Sequence, residues 1–398
     1  MLYSKKKLDQ LLCLDDFDTA ARRYLPDFMY AYVSGGVETN SSLAHNRSVF
    51  SELGFVPRVL RDVSKVNIST QLWGETFTAP FGIAPMGISA ISAYRGDIVL
   101  ADGACRAGIP MIMSGSSLIR LEDVRPVGDN VWFQAYLPGE REQIHALIER
   151  VAQAGYEKLV ITVDTPVAAN RENNVRAGFS TPLRPTFRLI TDCMLHPRWT
   201  VGTLLQTLVR NGMPYFENNY ATRGAPIISR NVLRDFSARS HLNWSHLKEI
   251  RDRWKGKLII KGVLNVPDAL KAIELGIDGI IVSNHGGRQL DGSISPLMAL
   301  PEIVRACPSV PVMIDSGIRR GSDVMKALGL GARFVFIGRP MGYAAAVGGL
   351  PGVSRAIELL ATEIQRDCAM LGITRVSEMT PEFLRALTTS SVFHSYLS

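Results

Sequence analysis

From about residue 79 onward, short apolar runs alternate with amphipathic helical stretches until eight strand segments have been counted, and this regularity constrains the fold more than any other feature. The runs predict strands at Ala79–Ala84, Pro110–Met113, Val131–Tyr136, Lys158–Val163, Lys257–Lys261, Asp278–Val282, Pro311–Asp315 and Arg333–Ile337. Helical periodicity falls between them at Asp97–Ala107, Glu140–Ala154, Val266–Leu275, Pro296–Ala306 and Ser322–Leu328, and again after the eighth strand to about Gly372. Strands that alternate with helices build a parallel sheet with covered faces. Eight units in one series is the count of a (β/α)8 TIM barrel. A doubly wound sheet would carry a Gly-rich turn after its first strand, and neither G-x-G-x-x-G nor a P-loop sequence is present. The expected α/β architecture is one domain, with a barrel over about 79–372. Short helices precede it in residues 1–78, and an insertion of about 172–243 separates strands four and five.

Composition narrows the function classes. Hydrophobic residues make up 46% and charged residues 20% of the 398, which is ordinary for a folded protein. Five scattered cysteines without a C-x-x-C pair suit a reducing compartment. Lys5-Lys6-Lys7 is followed by Asp9, Asp15 and Asp16, which interrupt any secretory core, so a cytoplasmic location is expected. The net charge of +7 is not gathered in Lys/Arg runs, and no nucleic-acid-binding motif accompanies it. Most of it lies between Ala177 and Ser240, with eight arginines, no lysine and three acids. That segment also carries Trp199, Val201, Leu204, Leu205, Leu208, Val209, Tyr215, Phe216 and Tyr220, which read as exposed. Arginines beside an apolar helical stripe suit a helix lying on an anionic membrane surface. An active-site lid is the competing reading.

In a barrel of this kind, functional groups gather at the C-terminal strand ends. Those ends carry Pro85-Met86-Gly87, then Ser114, then Gln134 and Tyr136, then Thr162 and Asp164, then Lys261. Strand six runs into Ser283-Asn284-His285-Gly286-Gly287-Arg288, strand seven into Asp315-Ser316-Gly317 and Arg319, and strand eight into Gly338-Arg339. Glycines after strands seven and eight let backbone N–H groups approach a phosphate, and arginine adds charge. Lys261 alone reads equally as a lysine snorkelling from a strand end. Beside His285 and a phosphate site it becomes a buried cation able to stabilise a reduced cofactor. His285 alone would be a core histidine and Asp164 a cap. Together they make a base and a carboxylate that raises its basicity. Ser114, Gln134 and Thr162 are either interior hydrogen bonders or partners for the polar edge of a flavin ring. No Cys/His cluster has metal-ligand spacing, and no G-x-S-x-G elbow is present.

The run Ser283–Asp291 (SNHGGRQLD) resembles the signature of the FMN-dependent 2-hydroxy acid oxidases and dehydrogenases. The resemblance extends to Leu25-Pro26 with Tyr30 and Tyr32, Thr162–Pro166, Lys261-Gly262, Asp315–Gly321 and Ile337–Arg339. It implies His285 as the base, with Asp164 as its partner. It implies Arg288, Tyr32 and Arg171 on the substrate carboxylate, Tyr136 on the substrate oxygen and Lys261 at the flavin N1–C2 edge. Pro85, Met86, Gly87, Ser114, Gln134, Thr162 and Ser283 would line the ring. Asp315, Gly317, Arg319, Gly338 and Arg339 would hold the ribityl phosphate. Ser116 stands where similar oxidases tend to carry a bulky aromatic residue, and Gly87 where several have Ala. The segments Asp192–Trp199 and Asn211–Pro214 are similar to the mandelate-oxidising members. The resemblance therefore implies a homotetramer that oxidises an (S)-2-hydroxy acid, on the cytoplasmic membrane face with a membrane quinone as acceptor. Lactate oxidation and an oxygen-using oxidase remain open, as does the choice between carbanion and hydride routes.

Overall fold

The computed structural model describes residues 2–180, 182–229, 239–389 and 391–397. Eight parallel strands close into a barrel: β1 (Phe81–Ile83), β2 (Met111–Ser114), β3 (Val131–Ala135), β4 (Lys158–Thr162), β5 (Lys257–Val263), β6 (Gly279–Val282), β7 (Val312–Ile314) and β8 (Phe334–Ile337). They pair in chain order, and β8 returns to β1 through Val335 opposite Phe81. Most are a residue or two shorter than the apolar runs that predict them. Proline explains several starts, because it gives the ladder a carbonyl but no N–H. Pro80 O accepts from Val335 N, Pro110 O from Ile83 N and Pro311 O from Ile280 N, each just ahead of its strand. β5 instead runs past Lys261, with a register irregularity between Lys261 and Val263.

The strands are followed by helices α1 (Gly96–Arg106), α2 (Leu121–Val124), α3 (Arg141–Gln153), α4 (Trp244–Arg253), α5 (Val266–Glu274), α6 (Pro296–Ala306), α7 (Gly321–Gly329) and α8 (Arg339–Leu371). Local sequence starts several of them. Asn265 caps α5, accepting from Asp268 N at 2.9 Å, with Pro267 in the first turn. α4 has an Asn243 cap and no counterpart in the sequence reading. The insertion therefore lies within the fourth βα unit, between β4 and α4. α8 is long and apolar enough to cross a membrane, but its most apolar window is 61% buried, and it packs on α1 and on the helix Leu14–Tyr24.

The barrel interior is packed solid. Ile112, Trp132, Val160, Ile259, Ile281, Met313 and Phe334 fill it, and the hairpin of Thr70–Leu72 with Glu75–Phe77 adds Leu72 and Phe77. The N-terminal helices close the opposite, C-terminal end. Asp27–Ser34 brings Tyr32 and Val33 to the mouth, and Ser41–Ser48 docks on the loop after β6. Asp291 fastens that docking by accepting from Thr39 N, Ser41 Oγ and Ser42 N, all at 2.9 Å.

The insertion is fastened just as firmly. Its helix Phe187–Leu195 presents Asp192, whose carboxylate accepts from Asp27 N at 3.1 Å and Phe28 N at 3.3 Å, at the start of the Tyr32 helix. Trp199 is fully buried. Its indole N–H donates to Ile91 O at 2.9 Å, and its ring meets Phe28 edge-on. Phe216 is buried as well. These two aromatics correct the expectation that they face outward: each anchors the insertion to the protein's own core. Residues 230–238, within the arginine-rich stretch, lie outside the described residues.

Candidate active site

One cavity occupies the C-terminal mouth of the barrel, and most of the strand-end residues singled out from sequence line it. Tyr32, Pro85, Met86, Gly87, Tyr136, Thr162, Arg171 and Lys261 do so, as do His285, Arg288, Asp315, Gly317, Arg319, Gly338 and Arg339. Ser114, Gln134, Ser283 and Asp164 stand behind the wall and hold its members in place.

His285 follows β6 in the left-handed region, at φ +58, an uncommon place for a non-glycine residue. Ser283 Oγ accepts its backbone N–H at 3.0 Å. The ring lies between two partners, with Nδ1 2.8 Å from Asp164 Oδ1 and Nε2 3.3 Å from the Tyr136 hydroxyl. Burial lowers the pKa of His285. Asp164 opposes that shift, but Lys261 and Arg171 reinforce it, and the imidazole ends below its usual value. Burial would raise the Asp164 carboxyl, but His285 and Lys261 outweigh it and keep it ionised. Burial, with help from Asp164, raises the Tyr136 phenol, which therefore stays a proton donor. The site thus presents a neutral imidazole whose Nδ1–H points at a carboxylate, leaving Nε2 to accept a proton.

Lys261, two residues before the end of β5, is 4% exposed and held by Asp315 Oδ2 at 3.0 Å and Ser283 Oγ at 2.9 Å. Burial alone would lower its pKa, but Asp315 and Asp164 overturn that and hold it above the usual value. The next residue needs to be glycine. Gly262 has φ +106, and a Cβ there would come within 2.7 Å of the Asp164 side chain. The irregularity in β5 therefore lets the lysine and the aspartate approach from neighbouring strands.

Three arginines frame the remaining wall. Arg171 Nε donates to Arg288 O at 3.1 Å, and its Nη2 donates to Gln289 Oε1 at 2.6 Å. The guanidinium of Arg288 lies 5.2 Å from the Tyr32 ring, with Nη1 donating to Gly35 O at 2.6 Å. Arg339 donates to Val33 O and Gly35 O, both at 2.9 Å, so it also ties the Tyr32 helix to the barrel. Burial pushes Arg288 and Arg339 down to about 10, which leaves both cationic near neutral pH.

Three positioning groups received no role in the sequence reading. Gln289 bridges Arg171 and the Asp164 carbonyl. Asn284 pairs with Asn46 through two reciprocal hydrogen bonds between their side-chain amides, each 2.8 Å. Ser316 accepts from Gly286 N at 3.0 Å and donates to Asp315 at 2.9 Å. All three sit inside recognisable motifs, but a motif does not say which side chain faces ligand and which faces its neighbours.

The cavity fits FMN on its own chemistry. Ser114 Oγ and Gly115 N occupy Gln134 Oε1, while Gln134 Nε2 is buried without a partner among the described residues. A flavin carbonyl beside it would supply the acceptor that this amide lacks. The N-terminus of α8, at Gly338-Arg339 with Gly342, opens on the same cavity, as a phosphate requires.

Comparison with known proteins agrees. The FMN-dependent dehydrogenase family matches residues 21–386. The chain is 36% identical to the (S)-mandelate dehydrogenase of Pseudomonas putida over 376 residues, 94% of each chain. It is 38% identical to an L-lactate dehydrogenase of Ectopseudomonas mendocina, over 93% of this chain and 97% of that one. The solved structure of the monotopic membrane protein (S)-mandelate dehydrogenase superposes with a TM-score of 0.85 at 34% identity, covering 94% of this chain and 99% of that one. The chain belongs to the FMN-dependent dehydrogenase family and is an FMN-dependent 2-hydroxy acid dehydrogenase.

Proposed function

We propose that this enzyme oxidises an (S)-2-hydroxy acid with an aromatic, mandelate-like side chain while resting on the cytoplasmic membrane face as a homotetramer, with a membrane quinone as acceptor. The observation that carries the chemistry is His285 clasped between Asp164 and Tyr136 beside the arginines. FMN, when bound, supplies the two-electron acceptor. Arg288, Arg171 and Tyr32 hold the substrate carboxylate, for which a planar guanidinium is suited. The Tyr136 hydroxyl donates to the substrate oxygen. His285 Nε2 takes a proton from the hydroxy acid, and Asp164 stabilises the resulting imidazolium. Lys261, pinned by Asp315 and Ser283, would hold positive charge toward the flavin's N1–C2 edge when FMN is bound.

Small residues at the cavity wall support an aromatic substrate. Gly87 lines the cavity against Ser116 and the Tyr32 hydroxyl, and a Cβ there would crowd both at 3.1 Å. Ser116 lines the cavity with a small side chain. Similarity to lactate dehydrogenases supports the competing substrate, so the test is a panel. Purified enzyme should be yellow and release FMN on denaturation. With an artificial dye it should show higher kcat/KM for (S)-mandelate than for L-lactate. A preference for lactate would overturn the substrate assignment, and release of FAD the cofactor site.

Membrane association rests on an inverted helix. From Pro197 to Asn211 the chain is continuously helical, including a π-helical turn over Thr200–Leu205. Its inward stripe is Trp199, Thr203 and Thr207, all buried, with Leu204 partly buried against the core beside them, and its outward stripe is Val201, Leu205 and Val209, all exposed. Threonines inside and aliphatics outside suit an exterior that is not water. The preceding helix adds exposed Phe187, Ile190, Met194 and Leu195.

A further inference from the structure

We infer that a second cavity, a cleft between the inverted helix and the barrel, docks the ring of the membrane quinone. The inference rests on the acceptor proposed above and adds its site. The cavity is walled by Thr207, Asn211 and Met213 from the insertion and by Ile98, Leu118 and Ile119 from the barrel side. Its volume of about 440 Å³ falls within the range of small-ligand clefts.

Position is the first argument. Met213 lies at the cavity, and Leu205 and Val209 on the adjoining helix are exposed, so the cavity borders the face proposed to contact lipid. A lipid-dissolved ring would enter it without crossing water. The second argument is the thinness of the wall between this cavity and the FMN cavity. Ser89, Ser92 and Ala93 line the FMN cavity, whereas Ala90 and Arg95 of the same segment line the second one. After β2, Ser116 faces the first cavity and Leu118 and Ile119 the second. Electrons crossing between the two therefore traverse a wall one residue thick. Both ends of the wall segment are held in the left-handed region, Ile88 at φ +52 and Arg95 at φ +53. That conformation is unusual for a β-branched residue and persists only where packing enforces it.

The third argument is the chemistry of the lining. Arg95, Arg120 and Arg223 are balanced by Glu122, Asp123 and Glu217, so the lining carries no net charge. Two of the acids are engaged: Glu122 takes Arg150 at 2.7 Å, and Glu217 takes Arg223 at 2.8 Å. The Thr207 hydroxyl, in the wall of this cavity, is buried without a partner among the described residues, and a turn about its χ1 would bring it to a ring oxygen. Apolar patches between balanced charges, with a hydroxyl that has no partner among the described residues, fit a flat neutral ring with carbonyl oxygens. An anionic phosphate headgroup would need a surplus of cations. The overall reaction balances. The hydroxy acid loses two electrons and two protons, one from carbon and one from its hydroxyl, to give the 2-oxo acid. The quinone gains two electrons and two protons on its oxygens to give the quinol. The protons exchange with solvent.

The test uses FMN-loaded enzyme with a short-chain quinone and, separately, a soluble dye. Thr207→Val removes only the hydroxyl, and Met213→Trp crowds the opening. Thr207→Val should raise KM for the quinone about tenfold, the effect of one lost hydrogen bond, and Met213→Trp should raise it by blocking entry, while substrate-driven flavin reduction and dye turnover stay unchanged. Light-activated azidoquinone should label the peptides containing Leu118–Asp123 and Thr207–Pro214. Quinone turnover that is normal in both variants, with label elsewhere, would overturn the site and leave the quinone acceptor standing. A parent enzyme that reduces dye but neither reduces nor binds quinone would overturn the acceptor itself. Purified enzyme that retains a phospholipid there which quinone fails to displace would make the cavity a lipid site instead.

Discussion

At the scale of single residues, the imidazole is the group on which the proposed chemistry turns. Replacing it by His285→Gln should leave FMN occupancy intact and reduce turnover at least about 10²–10⁴-fold, the usual worth of a general base. Near-parental turnover with full occupancy would reassign the base. The pKa directions also fix a pH profile. A base works when neutral, so activity is lost as pH falls through its pKa. Because burial, Lys261 and Arg171 hold His285 below 6.5, the acid limb of kcat/KM should have its midpoint below that value. Asp164→Asn removes the opposing influence, so that limb should move further toward acid while kcat falls. An unmoved limb would mean another group is titrating. The substrate pocket has its own single-residue test: Ser116→Trp should lower kcat/KM for mandelate more than for lactate, since an indole would take the space of a phenyl ring. An unchanged ratio would place the substrate side chain elsewhere. Much at this scale was legible in sequence, because strand ends in a barrel converge whatever the loops do. Less legible was which polar residues reach the cavity. Ser114 and Ser283 share strand ends with lining residues, yet they spend hydrogen bonds on Gln134 and on Lys261, and of Gln134 only the amide nitrogen is left without a partner among the described residues.

Among the elements, α1 carries the most exposed liability. Asp97 lies in its first turn, fully buried, and burial pushes its carboxyl up to about 7, with the Ser117 hydroxyl offsetting only part. The folded pKa exceeds the unfolded value of 3.8, so the folded protein binds this proton more tightly. The stability gained from that proton is complete below the unfolded value and disappears as pH rises through about 7. Asp97→Asn, which cannot ionise, should therefore be more stable than the parent near pH 8 by on the order of 1–3 kcal/mol. The gap should narrow steadily toward acid. Urea midpoints at several pH values under saturating FMN would show it, and parallel pH dependences would exclude the effect. Elements also show why periodicity reads some segments and misreads others. Eight strands flanked by polar helix faces announce themselves. The helix from Pro197 to Asn211 does not, because apolar residues occur on both of its sides and the sequence alone does not say which side meets the barrel. Trp199 looked outward on that reading, and the structure turns it inward against Phe28 and Ile91.

For the whole molecule, the balance lies between an insertion that grips its own barrel and one that grips a membrane, and the structure gives it a face for each. The inward face holds the Tyr32 helix through Asp192, Trp199 and Phe179, whose ring lies 4.5 Å from that of Tyr32. Substitutions there would damage substrate binding along with anchoring and would not separate the two. The outward face gives the clean experiment. Phe187, Leu195 and Val209 are 81%, 78% and 84% exposed, so replacing all three by Ser removes little packing. Each large apolar side chain that enters lipid contributes about 1–2 kcal/mol. The triple variant should therefore bind anionic vesicles roughly a hundredfold or more weakly than the parent. Dye-linked turnover of the hydroxy acid should stay near parental. Exposed Arg184, Arg188, Arg198 and Arg210 on the same segment add attraction to anionic headgroups, so parental binding should weaken as salt rises. The triple variant should then retain only the salt-sensitive component. Co-sedimentation with vesicles of varied anionic content, at low and high salt, separates the two contributions. If the parent remains in the supernatant at low salt whatever the lipid, the outward stripe meets another protein surface, and the insertion is a lid braced against a neighbouring subunit.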